Sequence, residues 1–297
     1  MSALHNNFVP VKKATTGAVI TRGVFGGSAS GTMDYITIQT IGNSASFGTL
    51  SAARDYPAAC ADAARGIFAG GWGSGLIIDY ITISTTGNAI SFGSLDQPRR
   101  YPCGFADATR GMIAADNSDV GGEEINYITI QTLGDATRFG DMTTNSGTRS
   151  ACTDATRGCM FGGGYVAVNI IDYVTIQTLG NATDFGDLTR LRYQGGACAD
   201  ATRGLMGGGW DGGTRVNIID YITIQTLGNA LDFGDLTVIV NGGVGACADA
   251  TRGVFAGGFS GSNINVISYV TIQTLGNAAD FGDLTAGKNG LGGLAGS

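Results

Sequence analysis

Short stretches in which apolar and polar residues alternate recur along the chain. The clearest is Asp34-Tyr35-Ile36-Thr37-Ile38, whose isoleucines share one face of an extended chain while its tyrosine and threonine share the other. Its β-branched residues favour a strand, and no stretch has the 3.6-residue apolar spacing of a helix. The pattern therefore predicts an all-β chain.

This segment is part of a repeat unit that occurs six times, at intervals of 45 to 48 residues between tyrosines. A Phe-Gly pair follows twelve residues after each tyrosine, and a block that most often reads Ala-Asp-Ala-Thr-Arg-Gly precedes it. The repeat tyrosines are Tyr35, Tyr80, Tyr127, Tyr173, Tyr221 and Tyr269. The repeat arginines are Arg22, Arg65, Arg110, Arg157, Arg203 and Arg252.

Each unit contains four short strand patterns separated by turn residues. Four antiparallel strands every 40 to 50 residues are typical of a propeller blade. The chain therefore predicts a six-bladed β-propeller of four-stranded antiparallel blades. Its limits are expected at 1–13 for an N-terminal extension, 14–285 for the propeller and 286–297 for a Gly-rich C-terminal tail, with blades at about 14–50, 57–95, 103–142, 149–188, 195–236 and 244–285.

The first inner strand is expected at Thr15–Thr21, in which case every blade is built from contiguous sequence. The tail resembles the start of another inner strand. It could brace the N-terminal strand or compete with it, and the sequence leaves this open.

Composition narrows the function classes. The chain has 51 glycines and 4 prolines without a Gly-X-Y period, which excludes collagen. Charged residues make up 14% and the net charge is -7, so the clustered cations that displace counterions from phosphates are lacking and we expect no nucleic-acid partner. With no basic, apolar leader and no run of 18 apolar residues, we expect neither export nor membrane insertion.

The residues for common catalytic sites are missing. The one histidine, His5, lies outside the repeats, which excludes a Ser-His-Asp site within them and leaves a histidine-bearing zinc site hardly possible. We therefore expect no enzyme, no metal and no cofactor. Four of the six cysteines lie five residues before a repeat arginine, so we expect them to be small buried residues with free thiols, from a reducing compartment.

Two sets of acidic residues allow two interpretations each. The first set lies three residues before a repeat arginine and could form a ring of anionic ligands; we favour turn caps beside arginines that bridge blades. Its members are Asp62, Asp107, Asp154, Asp200 and Asp249. The second set, the Asp-Phe-Gly-Asp pairs of units four to six, could supply calcium ligands, but solvated turns are favoured.

The small-residue inner strand, the Arg-Gly turn, the apolar strand with its glycine pair and the Tyr-bearing strand resemble kelch-type blades. The resemblance covers residues from about 14 to 285 and departs from kelch where Phe replaces the outer Trp. The repeat sequence Asp-Tyr-Ile-Thr-Ile-Gln-Thr-Leu-Gly-Asn-Ala is similar to the repeat arrays in virion proteins of tailed phages, particularly marine and cyanobacterial phages. This implies a capsid- or tail-associated protein, made in the host cytoplasm and located in the virion with other virion proteins as partners.

A binding site is expected on the loops that vary between units, because loops on a rigid scaffold usually carry binding. We call the side of the disc with these loops the variable face. Aromatic and arginine residues, which specific interfaces concentrate, occur there; the aromatic ones could instead cap the ends of blade interfaces. The candidates are Trp72, Tyr165, Trp210, Phe259, Arg99, Arg100, Tyr101, Arg192 and Tyr193.

Three functions remain. The favoured one is a non-catalytic structural or binding propeller of a phage virion, which docks to other virion proteins or attaches to a host surface. The alternative is a lectin-like propeller in which Trp72 and Trp210 stack on a glycan of the host surface. A lyase or hydrolase based on carboxylates is the least favoured, because the repeated acids occupy equivalent settings.

Overall fold

The fold is that of a six-bladed β-propeller. The computed structural model describes residues 21–115, 122–164 and 167–296. Within these ranges, twenty-four strands form six four-stranded antiparallel sheets, and no helix is present. The innermost strands of neighbouring blades contact one another in a closed circuit around the axis. The predicted fold class is confirmed.

The blades are numbered I to VI, and their strands are given from the axis outwards. Blade I consists of β24 (Leu291–Gly296), β1 (Arg22–Gly27), β2 (Thr32–Thr37) and β3 (Ala45–Thr49). Blade II consists of β4 (Ala58–Ala61), β5 (Arg65–Ala69), β6 (Ile77–Thr82) and β7 (Ile90–Ser94). Blade III consists of β8 (Cys103–Ala106), β9 (Arg110–Ala114), β10 (Glu124–Thr129) and β11 (Thr137–Asp141).

The other three blades repeat this order in contiguous sequence. Blade IV consists of β12 (Ser150–Thr153), β13 (Arg157–Phe161), β14 (Ile170–Thr175) and β15 (Thr183–Asp187). Blade V consists of β16 (Gly196–Ala199), β17 (Arg203–Gly207), β18 (Val216–Thr223) and β19 (Leu231–Val240). Blade VI consists of β20 (Gly245–Ala248), β21 (Arg252–Ala256), β22 (Val266–Thr271) and β23 (Ala279–Asp283).

The hydrophobic core lies between neighbouring blades. One cluster packs Phe161 and Ile171 of blade IV against Met206, Ile222 and Ile224 of blade V. All five side chains are at most 3% exposed. Because each blade buries its apolar face only against the next one, stability depends on closure of the whole ring.

Each repeat arginine joins two blades. The guanidinium carbon of Arg203 lies 4.5 Å from the ring centroid of Tyr221 in its own blade. Its Nη1 donates to the carbonyl of Ile272 in blade VI at 2.9 Å. Charge-assisted and cation–π contacts of this kind are among the stronger polar interactions. The same two contacts are made by Arg22, Arg65, Arg110, Arg157 and Arg252.

The turn in front of five of the six repeat arginines is capped by an aspartate. Asp200 Oδ1 accepts hydrogen bonds from the backbone N–H groups of Thr202 and Arg203, as a turn cap does. Its Oδ2 accepts one from Gln273 of blade VI. Burial raises the pKa of Asp200, but the bonds from Gln273, Arg203 and Thr202 outweigh it and lower that pKa below its ordinary value. The predicted capping role is confirmed, and the link to the next blade is an addition.

The six cysteines are buried free thiols, as predicted. Burial raises the pKa of Cys198 to about 12, so its thiol is protonated and unreactive at neutral pH. A Cβ added to Gly253 of blade VI would lie 2.9 Å from the Cys198 sulfur. The glycine after each repeat arginine thus makes room for the inner strand of the preceding blade.

The ring is closed by the C-terminus. Strand β24 pairs antiparallel with β1, from Arg22 opposite Gly296 to Gly27 opposite Leu291. This corrects two expectations, namely that Thr15–Thr21 forms the first inner strand and that 286–297 lies outside the propeller. Residues 15–20 are outside the described ranges, and the place beside β1 is occupied.

The physical reason is the crowding near the axis. A Cβ on Gly293 would lie 2.4 Å from the carbonyl oxygen of Ala246 in blade VI. Leu294, which is 3% exposed, packs on Gly66 of blade II as the cysteines do on their glycines. The tail therefore combines backbone without side chains with one correctly placed apolar residue.

Candidate functional site

Two sets of loops come together on the variable face. The first set joins the second and third strands of a blade, and the second set leads into the first strand of that blade. Loops of the two sets form backbone hydrogen bonds with each other. In blade II, Asp55 and Trp72 exchange two backbone hydrogen bonds of 3.2 and 2.7 Å. Tyr193 pairs with Trp210 in the same way, and Asn241 with Phe259. These bridges fix the aromatic side chains of three blades at equivalent places.

Two of the predicted binding arginines lie below this surface. Arg192 is 0% exposed, and its Nη2 lies 2.7 Å from the Asp220 carboxylate on β18. Arg99 is 1% exposed, and its guanidinium contacts the side chains of Asn126 and Glu124 on β10. Burial takes both arginines out of the binding surface, because a ligand cannot reach them without opening the blade.

The central channel opens on the variable face at a mouth formed by six equivalent loops. Its residues are linked by backbone hydrogen bonds, including those from Gln194 N–H to the Thr148 carbonyl at 3.1 Å and from Tyr56 N–H to the Gly290 carbonyl at 2.7 Å. Five positions of this circuit are in the left-handed region of φ. They are Tyr56 at 56°, Thr148 at 59°, Gln194 at 61°, Gly243 at 69° and Gly290 at 63°.

Three of these five positions carry residues that do not suit the conformation. Left-handed backbone is natural for glycine but costs about 1–2 kcal/mol for other residues, and it is most unusual for a β-branched residue such as Thr148. Strain of this kind clusters at binding and active sites. The Tyr, Thr and Gln side chains are thus kept at positions where two other blades have glycine.

Tyr56 lies across one half of the mouth. A Cβ on Gly243 would lie 2.8 Å from its ring, and one on Gly290 would lie 3.2 Å from it. These two glycines therefore leave the space that the ring fills. Burial, helped by the nearby Tyr101 and Asp55, raises the pKa of Tyr56 to about 12, so its phenol is neutral at physiological pH.

The other half of the mouth is bordered by a row of aromatic rings. The Tyr101 centroid lies 4.8 Å from that of Tyr56, edge to face, and 6.0 Å from that of Trp72 with a 33° tilt. Trp72 is 48% exposed, and the Arg100 guanidinium lies 5.0 Å from its centroid. We call Tyr56, Tyr101 and Trp72 the aromatic shelf.

A second aromatic cluster lies on the same face. The Arg215 guanidinium lies 5.5 Å from the Trp210 centroid and 4.8 Å from that of Phe259. Its Nε donates to Asn241 Oδ1 at 3.0 Å, and Asn241 Nδ2 donates to Gln194 Oε1 at 3.2 Å. This network holds the Gln194 amide at the mouth.

The mouth contains a small cavity of about 60 Å³, which has room for a few polar groups or water molecules and is smaller than a site that encloses a whole ligand. Its wall combines the two tyrosines of the shelf with neutral polar groups, apolar groups and Arg149. The lining residues are Tyr56, Pro57, Tyr101, Pro102, Thr148, Arg149, Gln194, Gly195, Gly243, Val244 and Leu291. Below it the channel is lined mainly by small residues of the inner strands.

Of the predicted surface residues, Trp72, Tyr101 and Arg100 border the mouth, while Trp210 and Phe259 form the second cluster. Tyr193 contributes its backbone bridge to Trp210, and Tyr165 lies outside the described residues. Tyr56 belongs to the same variable loops as these candidates, whereas Thr148 and Gln194 were not predicted. Each of the three lies six positions after the leucine or methionine that directly follows an outer strand, and this spacing is the signal that could have found them.

Within the described ranges, no group of three or more His, Cys, Asp or Glu side chains is placed to hold a metal ion. Nor does that part of the chain contain a helix long and apolar enough to cross a membrane. Comparison with models of known protein families gives no match, and a search of curated proteins gives none either. The fold and the geometry of the mouth therefore carry the functional argument.

Proposed function

We propose that this chain is a non-catalytic binding propeller of a phage virion, which uses its variable face to dock to other virion proteins or to attach to a host surface. The virion assignment rests on the resemblance of the repeat sequence to repeat arrays of virion proteins. The kelch-like description of the blades also rests on a resemblance of sequence. The binding role rests on the mouth.

The observation that carries the binding role is the left-handed backbone of Tyr56, Thr148 and Gln194. The fold accepts glycine at the equivalent positions 243 and 290. Closure of the propeller ring therefore does not require large side chains there. A side chain retained against strain supports a role in recognition. The exposed ring of Trp72 extends this surface outwards.

A non-catalytic role is supported by the setting of the acidic residues. The turn aspartates, such as Asp154 and Asp200, are each occupied by backbone N–H groups and a glutamine of another blade. Their pKa values are lowered by these bonds despite burial. Acid–base catalysis would need neighbouring carboxylates in unequal environments, and these environments are alike.

The virion assignment is tested by mass spectrometry of gradient-purified particles from the phage that encodes the chain. We expect the protein at a constant copy number per particle, with Trp72 and Tyr101 less labelled by a side-chain oxidant in the particle than in the free protein. Absence from the particles contradicts the assignment. Presence with unchanged labelling of the variable face contradicts docking through that face and leaves host attachment as its role.

A glycan is the second candidate partner. It is favoured by the half-exposed Trp72 beside Tyr101, because flat aromatic rings offer large apolar area at a small entropic cost.

A further inference from the structure

We infer that the channel mouth is a subsite for a neutral saccharide, which stacks on the aromatic shelf and directs hydroxyl groups into the small cavity. This inference rests on the proposed binding role and specifies its ligand. It does not depend on the virion assignment.

The first argument is the charge of the cavity. The polar side-chain groups at its wall are mostly neutral: two phenols, the Thr148 hydroxyl and the Gln194 amide. Arg149 is the charged residue in the lining, and it is 3.1 Å from the Asp172 carboxylate, with both side chains 0% exposed. A charged group that entered this cavity would lose its hydration without gaining a counter-ion from the cavity wall, whereas a neutral hydroxyl group would exchange water for the hydrogen-bonding groups there.

The second argument is the pairing of aromatic faces with hydrogen-bonding groups. A pyranose ring has an apolar C–H face and a rim of hydroxyl groups, so it needs a flat ring on one side and mixed donors and acceptors around it. Tyr56 and Tyr101 meet at 4.8 Å, and Thr148 and Gln194 line the same cavity. The phenol of Tyr56 keeps its proton, since its pKa is about 12.

The third argument is that the site is already rigid. Gln194 is held at its amide by Asn241 and at its backbone by the circuit of hydrogen bonds around the mouth. Thr148 donates its hydroxyl proton to the Gly147 carbonyl at 2.6 Å, which directs its oxygen lone pairs away from that bond. Preformed polar groups reduce the entropy that is lost on binding. This matters for a saccharide, because its hydroxyl groups are strongly hydrated and the free energy of removing that water has to be offset.

The shelf implies a chain of sugars. Trp72 is 6.0 Å from Tyr101 and tilted by 33°, so a saccharide that places its terminal hydroxyl groups at the mouth passes over the indole. The ligand class is therefore the end of a neutral oligosaccharide.

The test uses the full chain with a panel of neutral oligosaccharides built from glucose, galactose, mannose and N-acetylglucosamine, together with uronic-acid and sialylated analogues. Binding is followed by tryptophan fluorescence and by calorimetry. We expect at least one neutral oligosaccharide to bind, and its acidic analogue to bind at least tenfold more weakly. We also expect binding to fall about tenfold in Trp72→Ala, which removes one stacking contact, and in Gln194→Gly.

The control is Leu191→Ala, which removes an exposed apolar side chain of the variable face that belongs neither to the cavity wall nor to the network of Arg215, Asn241 and Gln194. We expect it to keep the affinity within about twofold, and thermal unfolding verifies that each variant is folded. The inference is overturned if the folded wild type binds no neutral saccharide, if Leu191→Ala weakens binding as much as Trp72→Ala, or if only acidic sugars or peptides bind. A chain that is found in virions but binds no sugar refutes this inference alone.

Discussion

Arg192→Val should lower the free energy of unfolding by about 3–5 kcal/mol, because it leaves the Asp220 carboxylate buried without its cation. The two side chains are 0% and 1% exposed and 2.7 Å apart. Burial lowers the pKa of Arg192, and the charge of Asp220 and its hydrogen bond only partly offset this. Urea denaturation at pH 7 measures the change.

The control is the double variant Arg192→Val with Asp220→Ser, a pair that the chain already uses elsewhere. In blade VI the equivalent positions carry Val240 and Ser268, and Thr237 bonds the Ser268 hydroxyl at 2.6 Å. Thr189, which now donates to Asp220 at 2.7 Å, would make the same bond to the new serine. We expect most of the lost stability to return. A double variant no more stable than the single one would contradict this account.

Ending the chain after Gly287 should abolish cooperative unfolding. It removes β24 and with it the backbone partners of β1. It also removes Lys288, whose Nζ lies 3.0 Å from the buried Asp34 carboxylate. Blade I would lose its inner strand, and the cores of blades II and VI would lose Leu294 and Leu291. Near-ultraviolet circular dichroism and urea denaturation report the loss.

A peptide that covers residues 288–297 provides the control for this truncation. Added in trans, it should restore the near-ultraviolet signal, because its binding to the truncated chain stabilises the closed ring. A truncated chain that unfolds cooperatively at the wild-type urea concentration would show that β24 does not close the ring.

The six-bladed propeller could be predicted from the sequence because every blade must satisfy the same structural requirements. Four strands and an arginine that reaches the next blade recur in each unit, and an aspartate turn recurs in five of the six, so the period alone reveals them. Closure was not predictable, since Thr15–Thr21 and Leu291–Gly296 both have the small residues of an inner strand. The choice between them depends on contacts at the axis, such as that of Gly293 with Ala246.

The candidate site was predictable only in part. Trp72 and Tyr101 stand out by residue type and loop position, whereas a left-handed φ cannot be read from the residues Tyr, Thr and Gln. Arg192 looked like a surface residue because its aspartate partner lies 28 positions further along the chain, on a strand of the next blade. A signal did exist in the matched exchange of this pair for Val240 and Ser268 in blade VI.

The central claim is that the side chains at the mouth serve recognition and do not stabilise the propeller fold. The unfolding free energies of Thr148→Gly and Gln194→Gly test this claim most directly. Relief of left-handed strain is worth about 1–2 kcal/mol, while glycine costs about 0.5–1 kcal/mol in chain entropy and one hydrogen bond is lost in each variant. The account predicts that urea denaturation shows each variant to be as stable as the wild type, or more stable by up to about 1 kcal/mol. A loss of about 1.5 kcal/mol or more in both variants would show that these side chains hold the fold together, and would contradict the claim.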